Sequence, residues 1–285
     1  FPTSERAEIT GGIESRCFHL VKELSKKHNV TVICSKQPGQ QRESTIFGAQ
    51  IIRCGLEMPY SGKGNLLRRF GFAFSAYLAG KKIGEKIEKE FGKFDCVEGA
   101  SFLVYPTAYF LGKKFKAKKV ATWHECWVGE WIKHKGIITG TFGELWERFS
   151  ISLKWDKVIS VSKFTKDILV AKGVPEENII LIPNGINPAN FKNMPVDMKK
   201  YSNPTLCYFG RLNWQKNIPI LIHALPIIKK EIPNIKCRII GTGPAEEELK
   251  KLVRELNLQD GVDFSGYVKD YNELLSQAKQ CHVFV

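Results

Sequence analysis

A short apolar run that ends in glycine is followed by two cations in the second part of this sequence. Residues 206–209 are apolar, Gly210 follows them, and Arg211 and Lys216 precede a helical periodicity that begins at Ile218. A strand that ends in glycine and leads into a helix places free helix amides at the carboxyl edge of a sheet, where they favour an anion. Arginine would add a bidentate donor and lysine a point charge, which suits a diphosphate. The alternative is two solvated surface cations beside a turn.

Two further loops would lie at the same sheet edge. Gly241 and Gly243 follow the strand-like residues 236–240, and Glu246 stands where a dinucleotide fingerprint needs its third glycine, so a nicotinamide site is excluded. A tight strand-to-helix connection is the alternative for these glycines. The loop residues that could meet a base by stacking or through the backbone are Gly266, Tyr267 and Val268.

The first part of the sequence offers a histidine and a glycine pair. His124 follows the strand-like residues 118–122, at a strand tip where functional side chains concentrate. The alternative for His124 is a hydrogen-bonded histidine beside a buried stripe of tryptophans, since Trp123, Trp127 and Trp131 have helical spacing. Gly11 and Gly12 permit close backbone approach at a helix start. No Asp-x-Asp pair occurs, which argues against a cation bridging a diphosphate.

Strand and helix patterns alternate along the chain, which predicts mostly parallel sheets with helices on both faces. We predict an α/β fold of two Rossmann-like, doubly wound domains facing a cleft, over residues 1–185 and 186–285, with a proline-rich linker between Pro183 and Pro204. The helices predicted for the first domain cover residues 13–28, 66–91, 102–113, 142–153 and 163–172.

Composition excludes several classes of protein. A chain of 285 residues can bury two cores, and its eight cysteines, without a Cys-x-x-Cys pair, indicate reduced core thiols in the cytoplasm. Residues 1–200 hold 32 Lys and Arg against 20 Asp and Glu. A solvated cationic face, attraction to anionic lipid or nucleic acid, and a funnel for anionic substrates are all compatible with this surplus, although no nucleic-acid-binding motif is present.

Seven short motifs, taken in order, resemble those of the GT-B fold retaining glycosyltransferases of family 4. They are Gly11-Gly12-Ile13-Glu14, Thr122-Trp123-His124-Glu125, Val161-Ser162-Lys163-Phe164-Thr165-Lys166, Ile182-Pro183-Asn184-Gly185-Ile186-Asn187, Phe209-Gly210-Arg211-Leu212 with Lys216-Asn217, Gly241-Thr242-Gly243-Pro244 and Phe264-Ser265-Gly266-Tyr267-Val268. The resemblance implies an acceptor-binding first domain and a nucleotide-sugar-binding second domain. It also implies a metal-independent retaining hexosyltransferase that needs no cofactor beyond its nucleoside-diphosphate-sugar donor, such as a UDP-sugar, and that serves cell-envelope glycan biosynthesis.

The resemblance also implies roles for single residues. Arg211 and Lys216 would clamp the diphosphate, His124 would contact the transferred sugar, and Gly11 and Gly12 would approach the donor phosphates or the acceptor. The base would meet Gly266, Tyr267 and Val268. The other residues expected to bind substrate are Glu14, Ser162, Asn184, Gly210, Gly241 and Gly243.

One family feature is not found in this sequence. The glutamate pair that normally holds the donor sugar and ribose would follow a strand like residues 282–285, and the first strand would precede Phe1, so we expect a chain truncated at both ends, with an incomplete second domain. A nucleotide-sugar epimerase of the same fold and a non-catalytic nucleotide-sugar-binding protein remain alternatives.

The acceptor could be lipid-linked, a saccharide or a small molecule. An apolar stripe edged with cations, Leu66, Leu67, Phe70 and Phe74 beside Arg68 and Arg69, suggests peripheral contact with an anionic membrane. We therefore expect a cytoplasmic protein that works at the inner face of the membrane and does not bind nucleic acid.

Overall fold

The computed structural model describes residues 1–5, 11–57, 66–186, 188 and 198–285, and it does not describe the side chains of residues 66–68. The chain forms two compact units, Phe1–Gly185 and Ile186–Val285. Residues 187 and 189–197 of the predicted linker lie outside the described residues.

The first unit alternates helices and strands. In chain order they are α1 (Gly12–Leu24), β1 (Thr31–Ser35), β2 (Glu43–Ile46), β3 (Ala49–Cys54), α2 (Leu66–Phe91), β4 (Cys96–Gly99), α3 (Tyr105–Lys114), β5 (Lys118–Trp123), α4 (Trp131–Ser152), β6 (Lys157–Ser160), α5 (Lys163–Ala171) and β7 (Ile179–Leu181). Strands β4, β5, β6 and β7 form a parallel sheet in that order, while β1, β3 and β2 form a separate sheet. Strand β2 pairs antiparallel with β3, a hairpin that the sequence patterns did not predict.

The centre of the parallel sheet in the first unit is packed with aromatic and aliphatic side chains. Trp123 at the end of β5 is fully buried, and its ring stacks on that of Tyr105 with the centroids 4.0 Å apart. The hydroxyl of Tyr105 donates a hydrogen bond to the carbonyl of Thr122 at 2.8 Å. The tip of β5 is therefore held rigidly, and His124 follows it directly.

The second unit is a single parallel sheet with helices. Its elements are β8 (Thr205–Phe209), α6 (Ile218–Glu231), β9 (Lys236–Ile240), α7 (Glu246–Glu255), β10 (Val262–Gly266), α8 (Tyr271–Gln280) and β11 (Val283–Phe284). The strand order is β10, β9, β8, β11, and every pair is parallel. Helix α6 buries Ile218, Leu221, Ile222 and Leu225 at helical spacing against this sheet. The predicted α/β class with parallel sheets is thus confirmed.

Helix α4 differs from its prediction. The sequence pattern predicts a helix over residues 142–153, whereas α4 begins at Trp131 and is broken at Gly136, where φ is 73°. The suggested helical stripe of tryptophans is wrong, because Trp123 ends strand β5 and only Trp131 belongs to the helix.

All eight cysteines are free, but they are not all core residues, because Cys96 is exposed and Cys17, Cys34 and Cys126 are half-buried. No helix within the described residues has the length and apolarity needed to cross a membrane.

Candidate functional site

The loops that follow β8, β9 and β10 are joined through their backbones. The amide of Gly210 donates to the carbonyl of Ile240 at 3.0 Å, and the amide of Gly241 donates to the carbonyl of Gly266 at 2.7 Å. These bonds extend the sheet's pairing beyond the ends of its strands. They bring three of the predicted site glycines to one edge of the second unit, as expected for the carboxyl edge of a parallel sheet.

Two of these loop glycines, Gly241 and Gly243, are required by close contacts. A Cβ atom added to Gly241 would lie 2.0 Å from the carbonyl oxygen of Gly210, and φ at Gly241 is +135°. A Cβ atom added to Gly243 would lie 2.1 Å from the carbonyl oxygen of Leu212. Both obstacles are backbone atoms, which cannot move aside without breaking the loop network. Gly241 and Gly243 are therefore needed for a tight strand-to-helix connection, which was the alternative explanation for these glycines.

Replacing Gly243 with alanine is expected to lower the free energy of unfolding by about 2–3 kcal/mol, because the new methyl group must displace the Leu212 carbonyl. Urea unfolding followed by circular dichroism would measure the change. Gly261→Ala is the matched control, since its Cβ would meet its neighbours at 3.6 and 3.7 Å, which is ordinary contact. Equal stability of the two variants would contradict this account of the loop.

The two predicted cations lie on the loop after β8. Leu212 is fully buried and anchors the loop, while Arg211 and Lys216 on either side of it are exposed. Within the described residues neither cation makes an ion pair or a side-chain hydrogen bond. Asn217, in the left-handed conformation with φ 50°, then leads into α6. The edge of the sheet therefore carries two cations at the start of a helix, and neither pairs with a described carboxylate. This position is a suitable environment for an anion.

The loop after β10 presents one accessible aromatic ring. Gly266 has φ of +70°, and a Cβ atom there would meet nothing within 4 Å. Tyr267 is 57% exposed, so its ring is available for stacking, whereas Val268 packs against a buried cluster that includes Ile240. Of the three predicted base-binding residues, Tyr267 has the most accessible side chain.

In the first unit, His124 lies beside a cation that the sequence patterns did not single out. Arg16 on α1 donates from Nη1 to Oδ1 of Asn184 at 3.1 Å. Within the described residues, Nε of Arg16 and Nε2 of His124 are both buried and lack a hydrogen-bond partner. The hydrogen-bonded histidine considered above is therefore not observed at Nε2. The structure thus associates predicted residues His124 and Asn184 with Arg16, and within the described residues it leaves two buried nitrogen atoms without a hydrogen-bond partner.

Burial, followed by the positive charge of Arg16, lowers the pKa of His124 to about 4. The imidazole is therefore neutral near pH 7, and it can exchange hydrogen bonds with hydroxyl groups without adding a charge. In the unfolded chain its pKa would be near the ordinary value of 6.5.

The low pKa predicts an acid-sensitive fold. Between pH 6.5 and 4 the unfolded chain binds more protons at this position than the folded chain does, so His124 makes stability fall as the pH is lowered through that range. His124→Gln is expected to reduce this dependence by up to about 1 kcal/mol per pH unit, less an allowance for partial exposure. Urea unfolding at a series of pH values measures it, with His223→Gln, at an exposed position on α6, as control. An unchanged slope in His124→Gln would contradict the assignment.

The remaining predicted residues of the first unit have structural partners or open surroundings. Ser162 caps α5, and its hydroxyl accepts the amide of Thr165 at 3.1 Å. Glu14 lies in the first turn of α1. Gly11 is the N-cap of α1, and a Cβ atom at Gly12 would meet nothing within 4 Å. Substrate contacts of Ser162, Glu14, Gly11 and Gly12 stay predictions.

A buried carboxylate shapes the loop between β5 and α4. Glu147 is 1% exposed and accepts hydrogen bonds from Nε1 of Trp131 at 2.7 Å and from the amide of Trp127 at 3.0 Å. Burial raises the pKa of Glu147, while these hydrogen bonds oppose the rise. Sequence patterns contain no signal for this role, because a glutamate in a helical pattern is normally solvent-exposed. Glu147 fixes the segment that leaves His124.

Within the part of the chain that the structure describes, no group of three or more His, Cys, Asp and Glu residues is arranged to hold a metal ion.

Each of the two units is an α/β fold that contains a four-stranded parallel sheet, and the second unit has a glycine-lined and cationic sheet edge. These features are typical of the nucleotide-binding class of α/β folds. A model of Glycosyltransferase Family 4 matches residues 10–190, and a model of Glycosyl transferases group 1 matches residues 191–285. The match to Glycosyltransferase Family 4 covers more than half of this chain, and the chain therefore belongs to that family.

Solved structures of the same fold are similar to this chain. A sucrose-phosphate synthase from Thermosynechococcus elongatus superposes with a TM-score of 0.73 at 19% identity, over 99% of this chain and 72% of that one. Anabaena HepE in complex with UDP superposes with a TM-score of 0.65 at 14% identity, again over 99% and 72% of the two chains. At these identities the likeness shows the fold alone.

Curated relatives match over shorter segments. A phosphatidylinositol N-acetylglucosaminyltransferase component from Arabidopsis thaliana is 26% identical over 132 residues, which is 46% of this chain and 29% of that protein. The alpha-monoglucosyldiacylglycerol synthase of Streptococcus pneumoniae is 28% identical over 124 residues, which is 40% of this chain and 28% of that protein. The matched segments thus span less than a third of each relative's own length.

Proposed function

We propose that the protein transfers a sugar from a nucleoside-diphosphate sugar to an acceptor, with retention of anomeric configuration and without a metal ion. One observation carries this proposal: Arg211 and Lys216 are exposed and not neutralised by any described carboxylate, on an anchored loop at the start of α6. As the bond between the anomeric carbon and the diphosphate oxygen breaks, the leaving diphosphate gains negative charge. Cations and helix amides fixed in advance stabilise that charge and lower the barrier.

The other residues have roles consistent with this chemistry. Tyr267 offers an accessible ring on which a nucleobase can stack. In the first unit, neutral His124 would exchange a hydrogen bond with a hydroxyl of the transferred sugar, and Gly11 and Gly12 would let a substrate oxygen approach the free amides of α1. Arg16 adds a positive charge beside His124, where an oxygen-rich substrate group would satisfy its unpaired Nε.

Among the three acceptor classes considered, we favour a lipid-linked acceptor. The names of two of the similar proteins contain the lipids phosphatidylinositol and monoglucosyldiacylglycerol. A further relative, from Mycobacterium tuberculosis, is named as a GDP-mannose-dependent alpha-(1-6)-phosphatidylinositol monomannoside mannosyltransferase. A uridine donor is supported by the UDP bound to HepE. We place the reaction in the cytoplasm, where the eight free thiols would stay reduced.

The test is to incubate the protein containing these residues with a panel of UDP-sugars and GDP-sugars, with lipid extracts as acceptors, in the presence of EDTA. We expect a glycosylated product whose anomeric proton coupling matches that of the donor. An inverted product would reject retention, and dependence on added Mg²⁺ would reject metal independence. A changed sugar in the absence of any acceptor would indicate an epimerase, and nucleotide-sugar binding without any product would indicate a binding protein.

A further inference from the structure

Two carboxylates of helix α4 hold the loop that joins β5 to α4. This loop comprises residues 124–130, and we call it the β5–α4 loop. Oε2 of Glu147 accepts a hydrogen bond from the amide of Trp127 at 3.0 Å, and Oε2 of Glu144 accepts one from the amide of Gly129 at 2.7 Å. The two glutamates are three residues apart, so they lie one above the other on the same side of the helix. Helix α4 therefore binds two alternate amides of the loop.

The two glutamates have different surroundings. Glu144 pairs with the guanidinium of Arg148 at 2.6 Å. Glu147 is 1% exposed and has no ion pair within the described residues, and its second donor is the neutral Nε1 of Trp131 at 2.7 Å. A buried carboxylate without a cation is costly, and a well-packed apolar side chain is often at least as stabilising. Stability alone therefore does not explain the carboxylate at this position.

Glu147 also lies close to the residue that precedes His124. Burial raises the pKa of Glu147, and the indole of Trp123 is among the groups that oppose the rise. Trp123 is the last residue of β5, and its Nε1 forms no hydrogen bond within the described residues. The carboxylate thus interacts with the chain on both sides of His124, with Trp123 before it and Trp127 after it.

The orientation of the His124 ring depends on these neighbours. Within the described residues no hydrogen bond fixes its Nε2. The hydroxyl of Thr165 donates to the backbone carbonyl of His124 at 3.4 Å, a long hydrogen bond that does not reach the ring. The backbone on either side of His124 therefore determines where the imidazole points, and Glu147 interacts with both sides.

We propose that Glu147 is a positioning residue for sugar transfer, which holds Trp123 and the β5–α4 loop so that the His124 ring meets the transferred sugar in one orientation. This inference rests on the proposed function, which gives the ring a sugar hydroxyl as its partner. Misplacement of a reacting group by about 1 Å can lower a rate by up to about 100-fold. Loss of the carboxylate is therefore expected to act on kcat more than on donor binding.

The first test is the kinetics of two variants at position 147. Glu147→Leu is expected to lower kcat about tenfold and to change KM for the donor less than about twofold. Glu147→Gln is expected to lower kcat only about threefold, because its amide oxygen can still accept from Trp127 and Trp131. The control is Glu90→Leu, at an exposed position on α2 of the same unit, which is expected to leave transfer unchanged. Circular dichroism would show whether each variant is folded.

The second test is NMR titration of the His124 ring. Its pKa is held at about 4 mainly by burial, and Glu147 is not among the charges that shift it. In Glu147→Leu the pKa is expected to rise toward 6.5, because a ring that leaves its position gains contact with water. A purely structural role of Glu147 would lower the free energy of unfolding without moving this titration. Hydrogen exchange at the amide of Trp127 is expected to become faster in the same variant.

The two tests give separate outcomes. An unchanged His124 titration in Glu147→Leu would overturn the proposal, whatever the activity. A shifted titration with unaltered kcat would overturn it as well, because the position of the ring would then not matter for transfer. If Glu147→Leu does not fold, Glu147→Gln replaces it, with smaller changes expected in the same directions. Absence of transfer by the unaltered protein would reject the proposed function, whereas the titration would still show whether Glu147 positions the ring.

Discussion

Arg211→Ala is expected to lower kcat/KM for sugar transfer by about 10²–10³, with most of the loss in kcat. The guanidinium would stabilise charge that develops only as the diphosphate leaves, and removal of one fixed donor of this kind costs about 3–4 kcal/mol. Steady-state kinetics with a UDP-sugar, together with calorimetric binding of UDP, would separate the kcat and KM effects. Because Arg211 is exposed and makes no described side-chain contact, stability is expected to stay within about 0.5 kcal/mol.

The same unit provides a matched control for Arg211. Arg254 is an exposed arginine on α7, and Arg254→Ala is expected to leave transfer unchanged. Arg211→Lys should recover only part of the activity, because lysine keeps the charge and loses the bidentate geometry. Full activity in Arg211→Ala would refute the assignment of the loop after β8 to diphosphate binding. It would leave the family membership of the chain untouched.

Arg16→Met is expected to have the second largest effect, a loss of about 10–100-fold in kcat/KM. A charge-assisted hydrogen bond to a substrate oxygen contributes about 1.5–3 kcal/mol, and the buried Nε of Arg16 is free to form one within the described residues. Methionine keeps most of the side-chain volume, so packing changes little. Loss of the positive charge would also raise the pKa of His124 from its value of about 4 toward the ordinary value, although burial would still hold it low.

Two measurements distinguish this substrate role of Arg16 from a merely structural one. Kinetics at several pH values would report the activity, and NMR titration of the His124 ring would report its pKa. Arg42→Met is the control, because Arg42 is exposed in the same unit. A lower activity without any shift in the His124 titration would show that Arg16 does not act beside His124. An unaltered activity with a shifted titration would show that Arg16 does not contact the substrate, although its charge still lowers the pKa of His124.

The loops of the second unit were predictable because glycine and the strand pattern act locally. Gly210, Gly241 and Gly266 each follow or end an apolar strand, and parallel strands bring their carboxyl ends to one edge. Arg16 was not predictable in this way. Its significance depends on Asn184 and on His124, which are 168 and 108 positions away along the chain and meet it only in the folded unit.

Helix α4 and strand β2 show two other limits of sequence patterns. The expectation that apolar residues face the core would place Leu145 inside and Glu147 outside, whereas the structure has the reverse. Strand β2 contains Glu43, Ser44 and Thr45, so it lacks an apolar run and is defined by its pairing with β3. Both errors arise where tertiary contacts override local preference.

The backbone bonds that join the loops after β8, β9 and β10 also limit how the second unit can vary. Each loop is tied to a neighbour by an amide-to-carbonyl bond, and Gly241 and Gly243 leave no space at the crossings. An inserted residue in any one loop would shift the other two out of register. Changes of nucleotide or sugar preference would therefore have to come from substituting exposed side chains such as Tyr267, with loop lengths kept constant.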